Sequence, residues 1–241
     1  YRNVREAQLE TKIPAAALEE ELRQISSDPA ALEILQALDQ EKLLTLFGAA
    51  LTGSKLNLAG FQKLHKVKQL LPFENDFKIN HFPLFLSLLL EKLTPKERSQ
   101  FLSATGLDKK ELESANRLET ETKKLERILA GAKLQKPSAL YNALSKLPGE
   151  QILFILMRSN QRIIVDRLRN YLQKYLPAAL EITDAVVQEH GGTPGTPKFT
   201  KLRNELIAAR LDSRPRKAPP VEAAPPPPVA VPVKRQSTWG R

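Results

Sequence analysis

Residues 180–211 read LEITDAVVQEHGGTPGTPKFTKLRNELIAARL. The stretch predicts a short helix over 182–190 with Thr183 at its cap, a stop at Gly191-Gly192, a rigid turn, and a second helix. Glycine accepts the left-handed backbone that closes a helix. Pro194 and Pro197 fix φ on either side of Gly195, which supplies the torsion between them. Thr196 is placed to cap the second helix, with Pro197 at its first position, where a missing N–H costs nothing. Phe199, Leu202, Leu206 and Ala209 recur at helical spacing and predict the buried stripe, with Arg203 and Arg210 along one edge of it. Free amides at a helix start beside Lys198, Lys201, Arg203 and Arg210 are the groups a phosphate backbone binds. Lys201 points nearly opposite to the two arginines, so Arg203 and Arg210 are the favoured pair. The alternative for the stretch is a capped corner that only packs.

Outward from this corner the chain is helical throughout. Apolar residues recur at three and four, and breaks fall at cap-like sequences. Helices are expected over 2–12, from Pro14 to Ile25, from Asp28-Pro29 to Leu38, over 41–47, and over 57–71. The run HFPLFLSLLLEKL (residues 81–93) is too short to cross a bilayer, which takes about 20 apolar residues. It is expected to be the buried central helix. Thr94-Pro95-Lys96-Glu97 is a capping box for the next helix, which Gly106 stops. A long helix over 109–132 has Leu112, Ala115, Leu118, Leu125 and Leu129 inward. Further helices are expected over 138–147, from Pro148 to Arg158, and over 161–175 with Asn160 as cap. Arg158, Arg162 and Arg169 are expected to share a basic stripe, with Asp166 positioned for local ion pairs. After Asp212 the composition shifts. Residues 213–241 carry Pro225–Pro228, Trp239 and six basic residues against one acid, Glu222. Such a segment buries no core and is expected to be disordered, with polyproline character. The expected architecture is therefore all-α, an elongated multi-helix array ending in a Pro-rich basic tail. Its divisions are a neck-like region 1–55, a body 56–212 and the tail 213–241.

The formal net charge is +10, which favours polyanion partners. The chain has no cysteine, which removes disulfides and thiolate metal sites and fits a cytoplasmic location. His65, His81 and His190 lie far apart, so no metal site is expected. Phosphoryl transfer needs paired carboxylates to hold Mg²⁺, and no Asp-x-Asp occurs in the sequence. Pairs such as Glu111/Glu113 lie two apart on a helix, diverge by about 200° and cannot share a metal.

The order Ile182-Thr183, short helix, Gly191-Gly192, Pro194-Gly195, Pro197, Phe199, then Ala209-Arg210-Leu211-Asp212 resembles the C-terminal motif of the bacterial-type tRNA nucleotidyltransferase and poly(A) polymerase family. The family has glycine where Asp184 stands, has P-G-P where Thr196 here separates Gly195 from Pro197, and has glycine where Ser213 stands. The opening helices resemble its neck at Leu18, Glu21, Leu22, Ile25, Pro29, Leu35 and Leu38, with Ala17 in place of an arginine. The resemblance implies an RNA-holding neck, body and tail, with tRNA as partner. It implies a catalytic head upstream of Tyr1, to which Mg²⁺ and ATP or CTP would belong, so no catalytic residue and no cofactor are assigned here. The candidate RNA contacts are Lys198, Lys201, Arg203, Arg210, Arg158, Arg162 and Arg169. The competing reading is a helical scaffold or adaptor that recruits a protein through its Pro-rich tail.

Overall fold

In the computed structural model, residues 12–71 and 77–213 are described. The expected helix over 2–12, all but its last residue, and the expected disorder over 214–241 lie outside them. The fold is all-α, with no strand among the described residues. The first helices are α1 (Ala15–Ser27), α2 (Ala31–Gln40), α3 (Leu58–Lys68), α4 (His81–Leu89), α5 (Pro95–Thr105) and α6 (Lys109–Ala130). They are followed by α7 (Pro137–Leu144), α8 (Gly149–Arg158), α9 (Arg162–Asn170), α10 (Leu176–Leu180), α11 (Asp184–Glu189) and α12 (Pro197–Asp212).

The core is built around α4. Phe82, Pro83, Leu84, Phe85, Leu86, Leu88 and Leu89 are all buried, each apolar side chain contributing roughly 1.5–3 kcal/mol of burial. Helices α1, α6 and α8 pack on it. The Asn80 side chain caps its start by accepting from the Phe82 amide at 3.3 Å. Arg98 caps its end from α5, donating Nε to the carbonyls of Leu90 and Leu93 at 3.0 and 3.1 Å. The Thr94/Glu97 capping box forms as expected, and Gly106 closes α5 at φ 70°. The apolar core runs unbroken from Leu22 to Leu172. The neck-like helices therefore share it with the body, with no gap in packing at 55/56.

Three expectations are corrected. Residues 41–47 do not form an α-helix; only the 3₁₀ turn Leu44–Leu46 is present. Helix α2 closes with Lys42 at φ 57°, the Leu43 amide reaching the Leu38 carbonyl at 2.7 Å and the Lys42 amide reaching Asp39 at 2.9 Å. That bonding pattern normally uses glycine, so the stop had no glycine to announce it. Second, Asn160 is not a cap. Helix α9 starts after Gln161, whose amide donates to Ser159 Oγ at 3.3 Å. Third, the helix does not end at Tyr175. It passes through a π turn over Tyr171–Tyr175, where the Leu176 amide reaches back five residues to the Tyr171 carbonyl, and continues as α10. Pro177 accounts for the slip, because its ring has no N–H and crowds the carbonyl four residues earlier.

Candidate nucleic-acid interface

The order expected for the C-terminal corner, short helix, glycine stop, Pro-Gly turn and second helix, is present, although Thr183 stands before α11 without a side-chain cap hydrogen bond. Helix α11 ends with Gly191 at φ 86°. The Gly192 amide donates to the Val187 carbonyl at 2.9 Å and the Gly191 amide to Gln188 at 2.8 Å. These two bonds satisfy carbonyls that would otherwise be left at the helix end. Gly192 is needed for closeness rather than for torsion: a Cβ there would meet Val187 Cγ1 at 2.7 Å and Phe199 Cδ2 at 3.0 Å. Thr193 to Thr196 make a turn closed at 3.4 Å, with Pro194 second and Gly195 third at φ 80°, the residue pattern of a type II turn. Thr196 Oγ1 accepts from the Phe199 amide at 3.2 Å and donates to the Thr193 carbonyl at 2.7 Å. Turn and helix start are thereby tied to one hydroxyl. Pro197 opens α12.

The face that α12 presents inward differs from the expected stripe. Phe199 and Ile207 are buried, Leu202 and Leu206 are half-buried, and Ala209 is exposed. The buried sector is rotated toward Ile207, and beside it Arg203 is half-buried while Arg210 is exposed. Both arginines are turned onto neighbouring carboxylates. Arg203 Nη1 lies 3.2 Å from Asp184 Oδ1, and Arg210 donates Nε and Nη2 to Glu181 Oε2 at 3.1 and 2.6 Å. At the end of the helix, Asp212 Oδ1 accepts from the Ser138 amide at 3.0 Å and Oδ2 from the Ser138 hydroxyl at 2.7 Å. A carboxylate from α12 thus caps α7, and these two bonds, with a nearby Lys136, hold its carboxyl below the usual range. Every residue of the terminal Arg-Leu-Asp signature except Leu211 closes a polar contact within the fold.

The opposite face of α12 is open. Lys198, Thr200, Lys201 and Asn204 are exposed. Among the described residues Lys201 Nζ makes only a long pair, 3.9 Å to Glu205, between side chains 80% and 61% exposed. Lys198 and Lys201 lie about 140–160° around the helix from Arg203, so no single flat surface spans both sets.

The expected stripe of Arg158, Arg162 and Arg169 does not exist as a unit, because the break between α8 and α9 separates Arg158 from the other two. Arg158 is clamped on Glu91 at 2.7 and 2.8 Å, with its guanidinium carbon 5.5 Å from the centre of the Phe154 ring. Arg162 makes the anticipated helical pair with Asp166 at 3.6 Å. Arg169 is exposed. The arginine that sequence reading passed over is Arg167, which donates Nη1 to the Leu129 carbonyl and, at 3.0 Å, to that of Gly131. It caps the end of α6, and nothing in the local pattern of α9 marks it for that task.

A cleft of about 400 Å³ opens between α4, α6 and α8. Its charged lining is Arg98, Lys123 and Arg158 against Glu91, Glu119 and Glu126. The signs balance, so the cleft draws no polyanion. Among the described residues no helix is long and apolar enough to cross a membrane, and no cluster of His, Asp and Glu is placed to hold a metal ion. Comparison with protein-family models, curated proteins and solved structures gave no match to this chain.

Proposed function

We propose that this chain holds RNA of the tRNA class by its phosphate backbone and presents the 3′ end for nucleotide addition by a catalytic head carried elsewhere. The observation that carries this reading is the build of the C-terminal corner. A Pro-Gly turn locked by Thr196 fixes the direction of α12. The helix spends its arginines on internal carboxylates and leaves Lys198 and Lys201 on a solvent face. A rigid support with outward ammonium groups suits contact by shape and charge, the mode by which structured RNA is chiefly held. The net charge of +10 and the resemblance of the corner to the nucleotidyltransferase motif support the same reading.

The test is binding of a tRNA transcript, followed by fluorescence anisotropy over a salt series. Lys198→Gln with Lys201→Gln is expected to weaken binding and to flatten the log–log salt dependence by about one to two units. A full chain that binds no RNA at low salt would leave the scaffold reading in its place.

A further inference from the structure

The start of α4 holds a histidine with one unsatisfied atom. His81 is the first residue of the helix, and its Nδ1 is buried with no hydrogen-bond partner among the described residues. Its surroundings are closely built. The Asn80 side chain caps the Phe82 amide, and the Asn80 amide donates to Glu150 Oε2 at 3.2 Å. Residues 77–79 lie so near the start of α8 that a Cβ on Gly149 would meet the Lys78 carbonyl oxygen at 2.5 Å. Charged groups reach this end of α4 from four other elements. Lys68, half-buried at the end of α3, forms no ion pair among the described residues. Glu150 stands in the first turn of α8. Arg23 of α1 lies 4.3 Å over the Phe82 ring and is held by Glu19 and Glu111. Arg117 and Glu121 of α6 line a cavity shared with Asn80 and Glu150. Lys78, just upstream, is exposed.

We infer that His81 is a proton-operated latch. Neutral, it lets the first turn of α4 seat against α8; on taking up a proton it must leave that place, and this end of the central helix opens. The neutral ring can leave Nδ1 bare and carry its proton on Nε2, whereas the imidazolium carries a proton on each nitrogen. A bare acceptor without a partner is tolerable, but a buried charged donor without an acceptor is far costlier. The first turn of a helix also carries positive partial charge, which opposes a cation there. Burial first, then the Lys68 ammonium, hold the pKa of His81 below the ordinary 6.5, against the opposite pull of Glu150. Glu150 already gives Oε2 to the Asn80 amide. Lys68 is itself pushed down by burial, so neither basic group of the junction is at ease with its charge. A group whose pKa is lowered by folding contributes stability that is present above its unfolded value and lost as pH falls through the folded one. The loss at His81 therefore begins near its ordinary 6.5 and proceeds below it.

The experiment follows the full chain from about pH 7.5 to about pH 5, a range above the ordinary carboxylate values. Proton NMR reads the imidazole of His81, assigned as the signal missing from His81→Gln, and hydrogen exchange reads the Phe82 amide. His81 is expected to titrate below 6.5. Protection at Phe82 should fall severalfold over this range in wild type, while that of α9 is kept. His81→Gln should lose this pH dependence. Lys68→Met keeps the length and removes the charge, so it should raise the titration midpoint of His81 and restore part of the protection at the acid end. A wild-type His81 that titrates at or above 6.5 would overturn the latch. So would an equal fall of Phe82 protection in wild type and His81→Gln, because the opening would then belong to other groups. Should His81→Gln lose helical circular dichroism at neutral pH, Lys68→Met decides, and an unmoved His81 midpoint in it would overturn the inference.

Discussion

Arg210 lays two nitrogens, Nε and Nη2, on one oxygen of Glu181, at 3.1 and 2.6 Å. The two residues are 29 apart in sequence, and the pair ties the last turn of α12 to the end of α10. It converts an arginine that reads as a ligand for RNA into one that positions the helix. The relation between Arg203 and Asp184 is of the same kind, one helix turn-pair closer to the Pro-Gly turn.

These pairs lie near the surface, with the Arg210 and Glu181 side chains 53% and 57% exposed. A double-mutant cycle of Arg210→Gln and Glu181→Gln should therefore return a coupling of about 0.3–1 kcal/mol, read from urea unfolding. Arg203→Gln combined with Arg210→Gln should lower the melting temperature, whereas Lys198→Gln combined with Lys201→Gln should leave it unchanged. Equal stability of the two double variants would deny the arginines their positioning role.

Asp212→Ala removes the cap of α7 and should cost about 1 kcal/mol, the usual loss for a helix N-cap. Asp212→Asn retains one oxygen acceptor and should cost less. Hydrogen exchange at the first amides of α7 provides the local readout: protection at Ser138 should fall in the alanine variant while that of α4 is unchanged.

Two adjacent glycines should respond differently to alanine. At Gly191 an added Cβ meets nothing within 4 Å, but φ is 86°, so only the left-handed backbone is strained, by about 1 kcal/mol. At Gly192 the added carbon meets Val187 Cγ1 at 2.7 Å and the Val187 carbonyl oxygen at 2.8 Å. Backbone cannot step aside there, so Gly192→Ala should be the more destabilising of the two in thermal unfolding.

Glu97 offers a pH test. Its hydrogen bond from Lys55, with the Thr94 amide second, holds its carboxyl down at about 2 against an ordinary 4.5. A carboxyl depressed in the folded state contributes stability that is complete above its unfolded value and fades as pH falls through the folded one. The stability gap between wild type and Glu97→Gln should thus be constant above pH 5 and close progressively between about pH 4.5 and pH 2. A gap independent of pH over that range would show that the carboxylate charge is not what holds the capping box.

Much of the fold can be read directly from local signals, because each acts within a few residues. The capping box at Thr94–Glu97, the proline at the start of α12 and the glycines after α11 announce themselves by residue type and spacing. The run around Leu84–Leu89 declares itself buried by apolar density alone. The failures occur where a residue performs a task it seldom performs or answers to a distant part of the chain. Lys42 adopts the torsion of a glycine. Pro177 shifts the hydrogen-bond register upstream of itself instead of ending its helix. Thr122, polar and therefore left out of the expected inner stripe of α6, is buried, accepting from Gln151 Nε2 at 2.9 Å and donating to the Leu118 carbonyl at 2.7 Å.

The sequence by itself determined that this protein is a run of capped helices ending in a rigid Pro-Gly corner, with an excess of positive charge. Capping, torsional preference and periodicity are local, and charge is additive. Only the tertiary structure decided which cations remain free. Arg203, Arg210, Arg158 and Arg167 look alike along the chain, and each is claimed by an acceptor 19 to 67 residues away. An ion pair or a carbonyl cap depends on separation in space, which falls out of packing and leaves no period in the sequence.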